Sequence, residues 1–185
     1  MPTLEELKKV RTEKLEKLQA AGMNPYPASV PRDCSLGEVA DKFEELEKKG
    51  DLLHVVGRVM AIRGSGAIMF IVLQDGADRF QAVIKKDEID NERMMDLFKD
   101  TIDLGDIISI KGGLFTTKRG EPSLLVKNWT IATKALLPLP EKFHGLQDAD
   151  ERYRKRYLDI LLNPDTRQMI EQKALFWDVT RNFLK

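Results

Sequence analysis

The 185-residue chain is long enough for one globular domain with appended segments, and its composition, 42% hydrophobic and 32% charged, is that of a soluble globular protein. No apolar run approaches the roughly 18 residues that a membrane span needs, and the start lacks the basic and then apolar profile of a signal peptide, so we expect a cytoplasmic protein with no membrane partner. Thirty basic residues balance thirty acidic ones, and the single cysteine, Cys34, excludes an internal disulfide and a cysteine zinc site.

The first predicted element is an amphipathic helix over residues 4–21, in which apolar residues recur at near-helical spacing among lysines and glutamates. Thr3 precedes it as an N-cap, and Glu6 stands three residues later, which completes a capping box. Gly22 can adopt the left-handed conformation that ends a helix. The pattern therefore predicts both ends of this helix.

Three prolines within residues 24–31 predict an extended linker after the first helix. A second helix is predicted over residues 36–49, ending at Gly50, and we interpret it as a helix that packs on the protein surface. Residues 1–50 are therefore assigned to an N-terminal helical extension and linker.

From residue 52 the chain changes to β-branched runs separated by short turns, which predict five strands, with a helix over residues 87–99 between the third and the fourth. This is the arrangement of the OB fold, a small Greek-key barrel that binds single-stranded nucleic acid across strands two and three. A jelly roll or an immunoglobulin sandwich would need more strands and no helix there. We therefore predict a mainly β fold with flanking helices, whose barrel spans residues 51–135. The predicted strands are 52–63, 67–74, 79–85, 105–116 and 121–133.

Charge is unevenly distributed along the predicted barrel. Residues 87–106 contain eight acidic and two basic side chains, whereas the rest of residues 51–134 contains ten basic and four acidic ones. The strands are therefore basic and one connector is acidic, so a neutral total can hide the positive face that nucleic-acid binding requires.

Alternation along strands two and three predicts a binding face on the outside of the barrel. The core-facing residues are predicted to be Met69, Ile71 and Leu73 on strand two, and Phe80, Ala82 and Ile84 on strand three. Phe70 and Gln81 then point outward, and a ring beside an amide is the pairing that single-stranded bases require. The alternative interpretation of Phe70 is a ring that only closes the barrel mouth. The candidate nucleic-acid-binding residues are Arg58, Arg63, Phe70, Gln81, Lys118, Arg119 and Glu121.

No group of residues has the spacing of a catalytic or metal site. His54 and His144 lack a spaced Cys, His or carboxylate partner, which favours packing or hydrogen-bonding roles. Gly64-Ser65-Gly66 is not followed by the residues of a phosphate-binding loop and is interpreted as a hairpin turn, and residues 87–106 lack the spacing of a calcium loop. We therefore expect no catalytic residue and no metal ligand.

The last part of the chain changes character again. Residues 136–163 begin with prolines and continue into a segment rich in Arg, Tyr and Glu, which predicts a rigid hinge followed by a short charged helix. Residues 164–185 carry a helical apolar pattern that runs to the last residue. We interpret this helix as interrupted and expect the chain to be a fragment.

Several motifs resemble the class II lysyl-tRNA synthetases. The most specific is LPLPEKFHGLQD at residues 137–148, followed by RYRKRYLD at residues 152–159. The aspartyl and asparaginyl enzymes share the Arg-Tyr-Arg part but not the Lys-Phe-His-Gly-Leu run. Supporting matches are Pro25-Tyr26-Pro27, Gly57-Arg58, residues 70–75, Asp103-Leu104-Gly105-Asp106 and Thr117-Lys118-Arg119-Gly120-Glu121.

The resemblance implies that the barrel binds the anticodon stem-loop of tRNA(Lys). It implies that Phe70 stacks on an anticodon base, that Gln81 and Glu121 recognise the central uridine, that Arg58 contacts the anticodon loop, and that the leading helix touches the tRNA backbone. The family usually has a lysine after the turn glycine, where this chain has Ala67.

The resemblance also implies a longer parent, a homodimeric lysine–tRNA ligase that attaches lysine to tRNA(Lys) with ATP and magnesium. Residues 164–185 would be the start of its catalytic domain, the motif-one helix at the dimer interface. The fragment alone is expected to bind tRNA, to be inactive as an enzyme and to use no cofactor.

Two functions from other classes are alternatives. A stand-alone single-strand-binding OB protein would explain the barrel and Phe70, but not the sequence of the hinge. An interaction module that dimerises through its terminal helices would explain the helices, but leaves Phe70, Gln81 and Arg58 without a role.

Overall fold

The computed structural model describes residues 3–64, 66–140, 146 and 148–185, in two compact units, Met1–Pro138 and Leu139–Lys185. Residues 141–145 and 147 of the predicted hinge, with His144, and Ser65 of the predicted turn lie outside the described residues. The first unit contains α1 (Leu4–Ala20), α2 (Leu36–Asp41), α3 (Phe43–Lys49), β1 (Leu53–Arg63), β2 (Ile68–Asp75), β3 (Asp78–Lys85), α4 (Glu92–Thr101), β4 (Ile107–Thr116) and β5 (Pro122–Thr133). The second contains α5 (Ala149–Arg154), α6 (Arg156–Leu162) and α7 (Pro164–Leu184).

The five strands form a closed barrel in the order β1-β2-β3-β5-β4. Neighbouring strands are antiparallel except β3 and β5, which run parallel. The predicted OB-type fold is therefore confirmed. The helix between β3 and β4 begins at Glu92 rather than at residue 87, because Ile89 is buried in the core and the Asn91 side chain caps the helix by accepting from the Arg93 N–H.

Two helices help to fill the barrel core. Leu36 of α2 is fully buried beside Gly57 of β1, where an added Cβ would lie 2.9 Å from the Leu73 Cβ. Glycine at that position therefore lets the helix approach the sheet. On α4, Phe98 packs edge-on against Trp129 of β5, with ring centroids 5.2 Å apart. Burial of these side chains is the main favourable term that holds both helices on the barrel.

Both predicted ends of α1 are confirmed. The Thr3 hydroxyl accepts from the Glu6 N–H, and the Glu6 carboxylate accepts from the Thr3 N–H. Gly22 has a φ of 82° and donates its N–H to Gln19, which closes the helix with a left-handed turn.

The predicted helix over residues 36–49 is two helices. They meet at Lys42, and α2 has its own capping box between Ser35 and Glu38. The break lets Phe43, the first residue of α3, pack on Phe80 of the barrel, with ring centroids 6.2 Å apart. Gly50 ends α3 in the left-handed conformation, as predicted.

A buried ion-pair cluster joins the end of β5 to the loop before β4. Lys134 is completely buried, and its Nζ donates to the Thr101 carbonyl at 2.6 Å and to the carboxylates of Asp103 and Asp106 at 2.7 Å each. Lys14 of α1 bonds the other Asp103 oxygen at 2.5 Å. Burial raises the pKa of Asp103, but hydrogen bonds from Lys134 and Lys14 outweigh it and hold that pKa below its ordinary value.

Hydrogen bonds around this cluster attach α1 and the first linker to the same place. Arg11 of α1 donates to the carbonyls of Leu104 and Ala135 at 3.1 and 2.8 Å. Tyr26 of the linker donates its hydroxyl to the Lys134 carbonyl at 3.0 Å. The N-terminal extension is therefore held on the barrel by directional bonds as well as by apolar packing.

The buried carboxylate of Asp159 takes part in hydrogen bonds that join the three helices of the second unit. Asp159 of α6 accepts from Arg152 of α5 and from Arg156, and Arg152 also donates to the Thr166 hydroxyl of α7. Large apolar side chains of α7 are exposed: Met169, Leu175, Phe176, Trp177, Val179, Phe183 and Leu184. Among the described residues, no helix has the length and apolar character needed to cross a bilayer.

Replacing Lys134 by Met is expected to lower the free energy of unfolding by about 3–5 kcal/mol, because it leaves the buried Asp106 carboxylate without its cation. The matched control is Lys127→Met, which breaks a partly exposed pair with Glu88 and is expected to cost at most about 1 kcal/mol. Urea unfolding at neutral pH measures both. Equal costs for the two substitutions would contradict the structural role assigned to the cluster.

Candidate nucleic-acid interface

Strand pairing places three of the candidate residues, Arg63, Phe70 and Gln81, in two neighbouring rows on the outside of the barrel. In one row, Arg63 of β1 pairs with Phe70 of β2, and Phe70 pairs with Val83 of β3. In the next row, Gln81 of β3 pairs with Ser123 of β5. The outer face is defined here by Arg63, Phe70, Gln81, Val83, Lys85, Phe115, Ser123 and Leu125.

Phe70 lies on this outer face and is 38% exposed, although its strand neighbours Met69 and Ile71 are buried in the core. The predicted alternation of β2 is therefore confirmed, and the ring does not pack into the barrel. Phe70 pairs with Val83 and Gln81 with Val72, so Phe70 and Gln81 are diagonal neighbours on the same face. An aromatic side chain is long enough to reach such a diagonal position. An exposed ring next to an amide is what this part of the sheet presents to solvent.

The Gln81 amide is held by a short chain of hydrogen bonds. Its Nε2 donates to the Ser123 hydroxyl at 2.8 Å, and that hydroxyl donates to the Glu121 carbonyl at 3.2 Å. Ser123 is completely buried, so this bond is shielded from water. The bond fixes the side chain of Gln81 and joins it to the exposed residue Glu121, which precedes β5.

The hairpin between β4 and β5 places two bases at the edge of the outer face. The Thr117 N–H donates to the Glu121 carbonyl at 3.0 Å, and Gly120, with a φ of 81°, closes the turn. Lys118 and Arg119 occupy the exposed tip between them. The structure thus brings Glu121, Lys118 and Arg119 to one turn beside the Gln81–Ser123 bond.

The two candidate arginines of β1 differ in their surroundings. Arg63 is exposed and lies opposite Phe70. Arg58 lies opposite Gln74, further along the strand, and its Nη1 donates to the Gly105 carbonyl at 2.7 Å. Burial lowers the pKa of the Arg58 guanidinium, and Asp106 partly offsets this effect. Arg58 is therefore tied to the loop before β4, while Arg63 is beside the exposed ring.

Three residues of this face were not among the candidate binding residues predicted from the sequence. Ser123 fixes Gln81, and Lys85 places its Nζ 5.3 Å from the ring centroid of Phe115. Phe115 points outward opposite Ser123, because its neighbour Leu114 faces Leu124 in the core. The same alternation that identified Phe70 would have identified Phe115, whereas the Ser123 bond depends on the pairing of β3 with β5, which alternation does not specify.

Comparison with known proteins agrees with this geometry. A family model of the tRNA anti-codon type, described as an OB-fold nucleic acid binding domain, matches residues 53–132. Lysine–tRNA ligase 2 of Methanosarcina mazei is 40% identical over 172 residues, which are 92% of this chain and 34% of the relative. The lysine–tRNA ligase of Dehalococcoides mccartyi is 41% identical over 94% of this chain and 35% of its own length, and that of Halalkalibacterium halodurans is 38% identical over 98% and 37%.

The chain is similar to lysine–tRNA ligases over 92 to 98% of its own length. It spans about a third of the length of the relatives that it matches. The matched domain covers the strands and turns of the barrel, including every candidate residue of the outer face.

The described residues do not fit ATP-bound magnesium, the group that the ligase family implies. Among them, no three or more His, Cys, Asp or Glu side chains are grouped as metal ligands. Asp103 and Asp106 are already compensated by Lys134 and Lys14.

Replacing Ser123 by Ala is expected to release the Gln81 amide, because the substitution removes its hydrogen-bond partner. The Gln81 side-chain amide signals should shift in ¹H–¹⁵N NMR spectra, and the free energy of unfolding should fall by about 1 kcal/mol. The control is Thr133→Ala at the far end of β5, where the hydroxyl donates to the carbonyl of its neighbour Ala132. Unchanged Gln81 signals in the Ser123 variant would contradict the bond.

Proposed function

We propose that the outer face binds the anticodon stem-loop of tRNA(Lys). The observation that carries the proposal is the exposed Phe70 ring beside a Gln81 amide that a buried serine holds in position. Stacking on an aromatic ring suits any unpaired base, and an oriented amide adds hydrogen-bond selection to that stacking. The match to the tRNA anti-codon domain model and to lysine–tRNA ligases supports this choice of nucleic acid.

Charge around the ring is suited to a phosphate backbone. Arg63 lies opposite Phe70, Lys85 follows on β3, and Lys118 and Arg119 stand on the β4–β5 turn. The acidic side chains of α4 belong to a different element, so the neutral net charge of the chain does not prevent a local positive field. These bases would position the RNA without selecting its sequence.

Selection of the central base is assigned to Gln81 and Glu121. Uracil presents an N3–H donor between two carbonyl acceptors, so it suits a carboxylate acceptor next to an amide that can still donate. Cytosine presents an acceptor at N3, which would face the Glu121 carboxylate unfavourably. The hydrogen bonds from Gln81 through Ser123 to the Glu121 main chain join β3 to the turn that carries the Glu121 carboxylate.

In the full-length protein, we assign this chain to the anticodon-binding part of a cytoplasmic lysine–tRNA ligase. Residues 51–135 are the binding domain, residues 1–50 its helical extension, 136–163 a hinge and 164–185 the start of the catalytic domain. ATP, magnesium and the attachment of lysine are assigned to other parts of the ligase. The exposed apolar residues of α7, among them Trp177 and Phe183, are assigned to the contact with the catalytic domain and the second subunit of a homodimer.

Phe70→Ala is expected to weaken binding of the anticodon stem-loop by about 1–3 kcal/mol, the usual value of one aromatic–base stack, without changing which central base is preferred. The matched control is Ile68→Ala on the same strand and face, which is 42% exposed but has no ring. Fluorescence titration of labelled stem-loops measures both. If the Phe70→Ala variant bound the stem-loop as tightly as the parent, the Phe70 ring would have no role in RNA binding.

Glu121→Gln is expected to reduce discrimination between stem-loops with central U and central C more than it reduces affinity. The substitution replaces an acceptor by a group that both donates and accepts, so the carboxamide can bond either base. Asp96→Asn, an exposed charge loss on α4, serves as the control. Retention of the full preference for uridine by Glu121→Gln would exclude Glu121 from base recognition.

Lys118→Ala and Arg119→Ala are expected to weaken binding of all stem-loops alike. Each phosphate contact removed should reduce the slope of log K against log salt by about 0.7 for a single strand. Titrations at two salt concentrations measure the slope for the parent and both variants. If either substitution changed the preferred base while the salt slope stayed the same, that side chain would be a base contact and not a phosphate contact.

A further inference from the structure

We propose that Phe115 of β4 is a second stacking platform, which holds a nucleotide next to the one recognised by Gln81. The proposal rests on the anticodon-binding function and assigns a further part of the RNA to a particular ring. It adds a residue that the motifs of the sequence did not single out. Four observations on the described residues carry it.

The first observation is the position of Phe115 in the sheet. It pairs with Ser123, the residue that accepts the hydrogen bond from Gln81. On the β2 side of the same amide stands Phe70, one row away. Gln81 therefore has an aromatic residue on each side of it across the sheet, Phe70 and Phe115. If the central base of an RNA strand bonds Gln81, each flanking base can stack on one of these rings.

The second observation is that the neighbouring helix leaves this side of β4 open. Thr116 points to the opposite side of the strand, and its hydroxyl bonds Glu47 of α3 at 3.2 Å. The helix α3 therefore covers the side of Thr116 and not the side of Phe115. One row away on the side of Phe115, β4 has Gly113, and the Leu52 side chain lies 3.7 Å from where a Cβ would be.

The third observation is the Lys85 ammonium, which lies 5.3 Å from the centroid of the Phe115 ring. Phe115 is partly buried. A cation over a ring that water can still reach contributes less than a stacked base does, and a lysine side chain is flexible. A base can therefore displace the ammonium from the ring. The displaced ammonium stays within reach of the backbone of the same nucleotide, where it neutralises a phosphate.

The fourth observation is continuity along the chain. Phe115 precedes the β4–β5 turn, whose exposed tip carries Lys118 and Arg119. RNA that runs from Phe70 over Gln81 toward these two phosphate-binding bases passes the Phe115 ring on its way. The path has an aromatic residue, a base-selective amide, a second aromatic residue and then positive charge, in that order.

The test combines ring substitutions in the barrel with stem-loops that lack one base. Phe115→Leu keeps an apolar side chain but removes the ring, and Phe115→Tyr keeps the ring. Each variant, with Phe70→Leu, is titrated against the intact stem-loop and against three stem-loops with an abasic site at one anticodon position. Phe183→Leu, the same change at an exposed position of α7, is the matched control. Thermal unfolding of each variant verifies that the barrel is intact.

We expect Phe115→Leu to weaken binding of the intact stem-loop by about 5- to 100-fold and Phe115→Tyr to bind like the parent. The effect of Phe115→Leu should vanish with one abasic stem-loop, and that of Phe70→Leu with a different one. An unchanged affinity of Phe115→Leu, or a loss of the same size with all four stem-loops, would overturn the proposal. If Phe70→Leu still showed its position-specific loss, the proposed function would stand and only the role of Phe115 would fall.

Discussion

The buried contact between Lys134 and the two carboxylates of Asp103 and Asp106 is the constraint on which the first unit depends. A lysine ammonium without water is costly unless every one of its donors has a partner, and here three oxygens take the three N–H groups. Those oxygens come from the end of α4 and the loop before β4. The hydrogen bonds of the Lys134 ammonium thus fix where α4 ends and where β4 begins, relative to the last residues of the barrel.

Strand β5 connects this anchored end with the proposed RNA-binding face. Lys134 follows its last residue, and Ser123, near its first residue, holds Gln81 of β3. Between them Trp129 fills the core against Phe98 of α4. The parallel pairing of β5 with β3 brings Gln81 and Glu121 together, although 40 positions separate them in the sequence. The proposed selection of a base at the exposed face therefore depends on a strand that also contributes side chains to the core.

The architecture of the barrel could be predicted from the sequence because each signal was local. Alternation in β2 placed Phe70 outside, glycine positions marked the ends of α1 and α3, and the helix between β3 and β4 selected the OB topology. The first turn of α4 was misplaced because acidic residues before Asn91 continued the helical composition without a helical backbone. The split of α2 from α3 was missed because it follows from how Phe43 packs on the barrel, which is a tertiary contact.

The site was predictable in part for the same reason. Phe70, Gln81 and the basic turn follow from strand periodicity and from the family motifs, but the buried Ser123 hydroxyl and the Lys85–Phe115 contact join residues that are far apart in the chain. For Arg58, the family motif suggests an RNA contact, which stays a prediction. The sequence did not indicate that its guanidinium is half-buried and donates to the Gly105 carbonyl.

The most direct test of the account is the binding of the unmodified chain to three RNAs of equal length. These are an anticodon stem-loop with central U, the same stem-loop with central C, and an unstructured strand that carries the same anticodon bases. The account predicts that the stem-loop with central U binds most tightly, because the Gln81 amide of the outer face and the Glu121 carboxylate of the adjoining turn are proposed to select that base, and the basic turn is proposed to contact the phosphates of a folded loop. Equal affinity for all three RNAs would contradict anticodon recognition and would indicate a general single-strand-binding protein.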